Sequence, residues 1–208
     1  MNTLKLNRVT LSPAIWTTIA SVGIHPQRPN PDHDRLIRQA DYKTGSISPL
    51  DAGELNAIVR YFGPATVAEV GTYIGNSTRA IVSGMSGGVI YTCDSANDIK
   101  LLPMYGATIE QFPKKTSTEM FGELIKRQVK PDLFYIDGRL SSEDPNLMRE
   151  LNPGSIVVLD DFEGIEKGVV NAGLLLSNAF SNHLLVYPRS GGKTAILMPI
   201  DMLHLTSQ

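Results

Sequence analysis

Short apolar runs alternate along this chain with segments whose apolar residues recur at helical spacing. Several of the apolar runs stop at a glycine or an acid, which is typical of buried strands in a parallel sheet. The alternation predicts an α/β fold with a doubly wound, Rossmann-like, mostly parallel sheet. The predicted strands cover residues 67–70, 87–94, 107–112, 133–137, 153–161, 183–187 and 194–198.

Caps and turn residues mark where the elements between these strands begin. Ser48 can cap a helix that has Pro49 at its first position, and Thr116 with Glu119 forms a capping-box pattern. Residues 188–193 carry a hairpin signal, so the last two strands should pair antiparallel. The predicted helices cover residues 35–40, 49–62, 79–82, 96–102, 117–129, 146–151 and 165–180.

A glycine turn follows the first predicted strand. Gly71 ends the strand, Gly75 follows four residues later, and residues 76–78 offer side chains that can cap the next helix. This order of strand, turn and helix is typical of nucleotide-binding half-domains, because the glycines let the backbone approach a ligand closely. The second strand ends in Asp94, where a carboxylate can accept both hydroxyls of a ribose.

The spacing of the two glycines disfavours a dinucleotide. Pyrophosphate-binding turns prefer the pattern G-x-G-x-x-G, whereas this turn has only Gly71 and Gly75 and lacks the middle glycine. Glu69 stands beside the turn, where its carboxylate would repel a pyrophosphate. An NAD(P)-dependent oxidoreductase is therefore the disfavoured alternative.

The segment EVGTYIGNST at residues 69–78 resembles motif I of class I S-adenosylmethionine (SAM)-dependent methyltransferases. It is closest to the small catechol-type and caffeoyl-CoA-type O-methyltransferases and related methyltransferase families, and the resemblance covers residues 41–199. It implies a seven-stranded sheet and a SAM cofactor whose methionine half meets Glu69 and the glycine turn, while Asp94 holds the ribose. The cofactor-binding residues that the resemblance implies are Glu69, Gly71, Thr72, Tyr73, Gly75, Ser77, Asp94 and Asp137.

Acids also end the fourth and fifth predicted strands, at Asp137 and at Asp160 with Asp161. In the catechol-type enzymes the matching positions hold Mg²⁺, which holds two adjacent oxygens of the substrate, and oxygen ligands suit that ion. The resemblance therefore implies a Mg²⁺ site at Asp137, Asp160 and Asp161. The alternative is that these acids cap helices or bind the amino group of SAM.

Two departures from that family leave the catalytic residue unknown. Asp161 stands where the family usually has asparagine, which adds negative charge. Leu140 stands near the position of the family's catalytic lysine; leucine cannot act as a base, and the neighbouring Arg139 stays protonated. Asp137 and Asp160 are the catalytic candidates.

Composition narrows the functional classes. The chain has 208 residues, of which 42% are hydrophobic and 19% charged, as in an ordinary soluble domain. A formal charge of −2 gives no basic face for nucleic acid, and no apolar run is long enough to span a bilayer. The single cysteine, Cys93, cannot form an internal disulfide, which suits a reducing, cytoplasmic location.

The sequence predicts one domain, with residues 1–40 as a cap or lid segment and residues 41–208 as the Rossmann-like core. Basic residues before the apolar stretch of residues 11–24 suggest a signal peptide, but the helical spacing of Ile15, Ile19 and Val22 favours an amphipathic cap helix. A homodimer is a candidate assembly.

These observations predict a SAM-dependent methyltransferase that methylates an oxygen of a small-molecule substrate, with assistance by a divalent metal as an option. The missing base keeps a second hypothesis open, a SAM- or nucleoside-binding protein without turnover. No nucleic-acid or membrane partner is expected.

Overall fold

The computed structural model describes residues 46–96, 100–101, 103–104, 106–162, 167–186 and 193–202. The strands in these residues are β1 (Thr66–Val70), β2 (Val89–Asp94), β3 (Thr108–Pro113), β4 (Leu133–Ile136), β5 (Ile156–Leu159), β6 (His183–Val186) and β7 (Ala195–Pro199). The helices are α1 (Pro49–Phe62), α2 (Asn76–Gly84), α3 (Ser117–Lys126), α4 (Asp144–Leu151) and α5 (Gly168–Asn178). The strands form a seven-stranded sheet in the order β3-β2-β1-β4-β5-β7-β6.

The sheet is parallel except at β7. β1 pairs in parallel with β2 and β4, β2 pairs in parallel with β3, and β4 pairs in parallel with β5. β7 runs antiparallel to both of its neighbours, β5 and β6. This confirms the predicted doubly wound, Rossmann-like, mostly parallel sheet with a C-terminal antiparallel hairpin strand.

Apolar side chains cover both faces of the sheet. Val67 and Ala68 are neighbours on β1, yet they belong to different hydrophobic clusters, because successive side chains of a strand point to opposite faces. Val67 packs with residues of α1 and α2, whereas Ala68 packs with residues of α3, α4 and α5. Burial on both faces explains why the central strands read as continuous apolar runs in the sequence.

The predicted helix starts of α1 and α3 are confirmed. The Ser48 hydroxyl accepts a hydrogen bond from the Asp51 N–H, with Pro49 in the first turn. Thr116 and Glu119 form the reciprocal capping box at the start of α3. Leu55, Ile58 and Val59 are fully buried as expected, whereas Phe62, at the end of α1, is only half-buried.

The helix predicted over residues 96–102 differs from the structure where the structure describes it. Lys100 and Leu101 are not helical, and the Leu101 N–H donates to Oε1 of Gln111 (2.8 Å) instead of a helical carbonyl. Residues 97–99 and 102 lie outside the described residues. The helix predicted over 35–40, the cap segment 1–40 and the first part of the helix predicted over 165–180 also fall wholly or partly outside them.

The order of the strands fixes where a ligand can bind. From β1 the chain moves outward to β2 and β3, and then returns to the other side of β1 to form β4 and β5. Ligands of open α/β sheets bind in the crevice beyond the carboxyl ends of the strands at such a switch point. None of the helices in the described part of the chain is long and apolar enough to cross a bilayer.

Candidate functional site

The glycine turn after β1 contacts the ends of both neighbouring strands, β2 and β4. The N–H groups of Gly71 and Thr72 both donate to the Cys93 carbonyl, at 2.9 and 3.1 Å. Gly71 has φ +102°, and a Cβ there would lie 3.2 Å from the carbonyl carbon of Asp137. Glycine is therefore required at this position, because the turn lies directly against the residues that follow β4.

Glu69 lies beneath this turn and is fully buried. Its two carboxylate oxygens accept hydrogen bonds from the hydroxyls of Ser77 and Thr78, both at 2.6 Å. Burial raises the pKa of Glu69, although the hydrogen bonds from Ser77, Thr78 and Thr92 act in the opposite direction. The structure thus places Glu69 and Ser77 in a buried network that joins β1 to α2.

The predicted side-chain cap of α2 is wrong. The N-cap of α2 is Gly75, with φ +83°, and no side chain makes a capping hydrogen bond there. The hydroxyls of Ser77 and Thr78, which the sequence offers as caps, donate to Glu69 instead. The third predicted cap residue, Asn76, bonds the Ser46 hydroxyl through its side-chain N–H (2.7 Å). The hydroxyls satisfy the buried carboxyl group of Glu69, because leaving that group without donors would cost more free energy than leaving the start of the helix without a side-chain cap.

Asp94 accepts two backbone hydrogen bonds, one of them from the turn that follows β1. Its Oδ2 accepts from the Tyr73 N–H (2.7 Å) and its Oδ1 accepts from the Ala96 N–H (2.9 Å). Tyr73 has a positive φ of 42°, a conformation that is uncommon for a residue with a side chain. The Thr72 hydroxyl is buried and bonds the Thr92 hydroxyl at 2.5 Å. Each Asp94 oxygen retains a lone pair for a further donor.

The three strand-end acids do not converge on one point. Asp160 is buried, and its Oδ2 accepts from the Tyr135 hydroxyl at 2.9 Å. Asp137 and Asp161 instead share a lysine: the Lys167 ammonium lies 3.0 Å from Oδ1 of Asp137 and 2.7 Å from Oδ2 of Asp161. In the described part of the chain, no group of three His, Cys, Asp or Glu side chains could hold a metal ion. The predicted Mg²⁺ site at Asp137, Asp160 and Asp161 therefore does not fit this arrangement.

Burial, together with the charges around Lys167, shifts the pKa values of the groups at the ends of β4 and β5. Burial raises the pKa of Asp137 to about 7, and Asp160 acts in the same direction, whereas Lys167 opposes both. Burial also raises the pKa of Asp160. For Lys167, burial alone would lower the pKa, but the hydrogen bonds and charges of Asp161 and Asp137 raise it above its usual range. The lysine is therefore an ammonium, and cannot act as a base.

Lys167 is the functional residue that the sequence analysis missed. It is separated from Asp137 by 30 residues and precedes α5 as its N-cap, next to an apolar segment. The signal that could have identified it is a single basic residue, among four acids, between the fifth strand and an otherwise apolar helix start. Sequence spacing alone does not show that this helix begins against the residues that follow β4.

One cavity of about 330 Å³ lies beside the turn, between the end of β2 and the residues that follow β4. Of the predicted cofactor-binding residues, Gly71, Tyr73, Asp94 and Asp137 line it, together with Lys167. The others are not among its lining residues; these are Glu69, Thr72, Gly75 and Ser77. Of the two catalytic candidates, Asp137 lines the cavity and Asp160 does not.

Leu140 lies close to the cavity without lining it, and its N–H donates to the Asn171 side chain (3.2 Å). Arg139 lines the cavity and is exposed. Lys115 also lines it, but its ammonium is paired with Glu119 at 2.7 Å. Asp137 is therefore the cavity-lining carboxylate next to the turn that has one oxygen, Oδ2, without a hydrogen-bond partner among the described residues.

No family model and no curated protein sequence matches the chain. Solved structures resemble it in fold. An O-methyltransferase from Bacillus cereus, in complex with SAH, matches with a TM-score of 0.51 at 14% identity, over 88% of this chain and 90% of that chain. A proposed O-methyltransferase from Klebsiella pneumoniae matches with a TM-score of 0.54 at 14% identity, over 83% of this chain and 91% of that chain.

A third similar structure is MycE, a methyltransferase of the mycinamycin biosynthetic pathway, in complex with Mg, SAH and mycinamycin VI. It matches with a TM-score of 0.53 at 18% identity, over 82% of this chain and 49% of that chain. At sequence identities this low, the likeness shows the fold and does not identify the ligand. The described strands form a sheet in which β7 alone is antiparallel to its neighbours. Together with these likenesses, this sheet shows that the chain has the fold of the class I SAM-dependent methyltransferases.

Proposed function

We propose that this protein transfers the methyl group of SAM to an oxygen of a small-molecule acceptor. The observation that carries the proposal is the cavity at the switch point of the sheet, which Gly71, Asp94 and Asp137 line together. The carboxylates of Asp94 and Asp137, which stand at the ends of the strands on either side of β1, suit SAM, which has ribose hydroxyls to donate and carries positive charge on its ammonium and sulfonium. The matched O-methyltransferase from Bacillus cereus was solved with SAH, the demethylated product of SAM, which supports the choice of cofactor.

The reaction demands little side-chain chemistry. The acceptor oxygen attacks the methyl carbon in line, the bond from carbon to sulfur breaks, and the electron pair stays on sulfur as a neutral thioether. The protein has to hold the two reactants in line and exclude water. The acceptor's proton leaves to a base, and Asp137 is the candidate because it lines the cavity with one carboxylate oxygen unpaired among the described residues.

A SAM-binding protein without turnover is the second candidate. It is favoured by Leu140, which stands where the resembling family has its catalytic lysine. An incubation of the protein with SAM and a panel of phenols, carboxylic acids and aliphatic alcohols separates the two hypotheses, with SAH formation measured by chromatography. SAH formed with any acceptor, and reduced in Asp137→Asn, supports the enzyme. SAM binding without SAH across the panel supports the binding protein.

Other properties that the sequence suggests stay predictions. These are the single-domain organisation with a cap at residues 1–40, the cytoplasmic location, the homodimer, and the absence of nucleic-acid and membrane partners.

A further inference from the structure

The Lys167 ammonium occupies the space between the ends of β4 and β5. Two of its N–H groups donate to Asp137, to the carbonyl oxygen at 3.1 Å and to Oδ1 at 3.0 Å, and Nζ forms a salt bridge with Oδ2 of Asp161 at 2.7 Å. An ammonium has only donors, so its contacts here are with acceptors from the ends of both strands. Lys167 therefore already provides a cation to Asp137 and Asp161.

The oxygens around Lys167 are spaced for an ammonium and too widely for a divalent metal. Their distances from Nζ run from 2.7 to 3.1 Å, whereas Mg²⁺ requires oxygens at about 2.0–2.1 Å and Ca²⁺ at about 2.3–2.6 Å. The third acid, Asp160, accepts from the Tyr135 hydroxyl, and its side chain forms no salt bridge with Lys167 in the described structure. A metal would have to expel the lysine and also draw Asp160 away from Tyr135.

The position of Lys167 is fixed by the start of α5. A Cβ on Gly168 would lie 2.5 Å from the Asp160 carbonyl oxygen, so only glycine lets this helix begin so close to β5. One turn later, the Asn171 side chain donates to the Gly138 carbonyl (2.9 Å) and accepts from the Leu140 N–H (3.2 Å). Lys167 and Asn171 thus hold the residues after β4 from one face of α5.

The backbone conformation of Asp161 also indicates that the fold maintains its contact with Lys167. It has a positive φ of 51°, a conformation that is sparsely populated for residues other than glycine and that persists only where surrounding contacts maintain it. In this conformation its Oδ2 lies 2.7 Å from the Lys167 ammonium. Because Lys167 also lines the cavity, its charge lies beside the space proposed for the reactants.

We propose that Lys167 takes the place of a divalent cation at this edge of the sheet, so that the proposed methyl transfer needs no metal. This inference rests on the proposed function, and it narrows the substrate class. Without a metal, two adjacent oxygens of a substrate have nothing to chelate them. The proposal therefore predicts that an acceptor with two adjacent oxygens has no advantage over one with a single nucleophilic oxygen.

The test is a titration with Mn²⁺, followed by the electron paramagnetic resonance signal of the free ion. The variants are Lys167→Ala, the double variant Lys167→Ala with Asp137→Asn, and Lys115→Ala as the matched control, since Lys115 lines the same cavity. Lys167→Ala should bind Mn²⁺ at least about tenfold more tightly than the wild type, because its removal leaves Asp137 and Asp161 unpaired. The double variant should lose that gain, and Lys115→Ala should behave like the wild type.

Mn²⁺ binding by the wild type as tight as by Lys167→Ala, or no gain in a folded Lys167→Ala, would overturn the proposal. If Lys167→Ala does not fold, Lys167→Met keeps the aliphatic stem and takes its place. A chelator added to the wild type should leave SAM affinity unchanged, and a loss of at least about tenfold would also overturn it. The Mn²⁺ titration needs no SAM, so a failure of SAM binding would refute the proposed function and leave the result on Lys167 standing.

Discussion

Replacing Glu69 separates a structural role from contact with the cofactor. Glu69 is fully buried and accepts two hydrogen bonds of 2.6 Å from Ser77 and Thr78. Hydrogen bonds to a charged group contribute about 1.5–3 kcal/mol each, and neutral ones about 0.5–1.5 kcal/mol. Glu69→Gln keeps the shape and replaces two charged bonds by neutral ones, so the free energy of unfolding should fall by about 1–2 kcal/mol. Glu69→Ala should cost more, because it leaves both hydroxyls without an acceptor.

Urea denaturation measures the loss of stability, and calorimetric titration of SAM measures the effect on binding. Because Glu69 does not line the cavity, the SAM affinity of Glu69→Gln should fall by less than about threefold, which corresponds to under ~0.7 kcal/mol. The reasoning would be refuted by unchanged stability together with an affinity loss above about tenfold. That outcome would mean that Glu69 contacts the methionine half of SAM, as the family resemblance implies.

Three further predictions test other parts of the structure. Asp94→Ala should weaken SAM binding by about 1.5–3 kcal/mol, and a wild-type affinity in a folded variant would reject the ribose assignment. Gly71→Ala should lower the free energy of unfolding by about 1–3 kcal/mol because of its φ of +102°; an unchanged urea midpoint would contradict this. Burial lowers the pKa of the His183 imidazole, against the effect of its hydrogen bond to Ser155. Its stabilising contribution is therefore present above about pH 6.5 and lost at lower pH. Between about pH 7.5 and about pH 5, His183→Gln should lose less stability than the wild type, and an equal loss would exclude His183 as the cause.

The sheet could be predicted from the sequence because the signals for its strands and turns are local. The strands β1, β4 and β5 are runs of mostly buried residues that stop at a glycine or an acid, namely Gly71, Asp137 and Asp160. The start of α1 could be predicted because Ser48 and Pro49 act within one turn of the helix. The mostly parallel sheet followed from the alternation of elements, and the antiparallel strand followed from the hairpin signal; the structure confirms both.

The site was harder to predict because its contacts join residues that are far apart in the chain. Ser77 looks like a helix cap when only its neighbours are considered, but α2 packs over β1 and brings its hydroxyl to the buried Glu69. The acids at the strand ends suggested a metal, since the sequence showed three negative charges and no partner. Lys167, 30 residues from Asp137, supplies that partner only once α5 is placed against β4.

Competitive calorimetry with SAM, SAH and NADH tests the central claim most directly. The wild type should bind SAM and SAH with one site per chain and show no heat with NADH, because the turn lacks the middle glycine that a pyrophosphate requires. Asp94→Ala, which removes a carboxylate that lines the cavity, should weaken both SAM and SAH. Binding of NADH with no binding of SAM or SAH would contradict the account and point to a dinucleotide in this cavity.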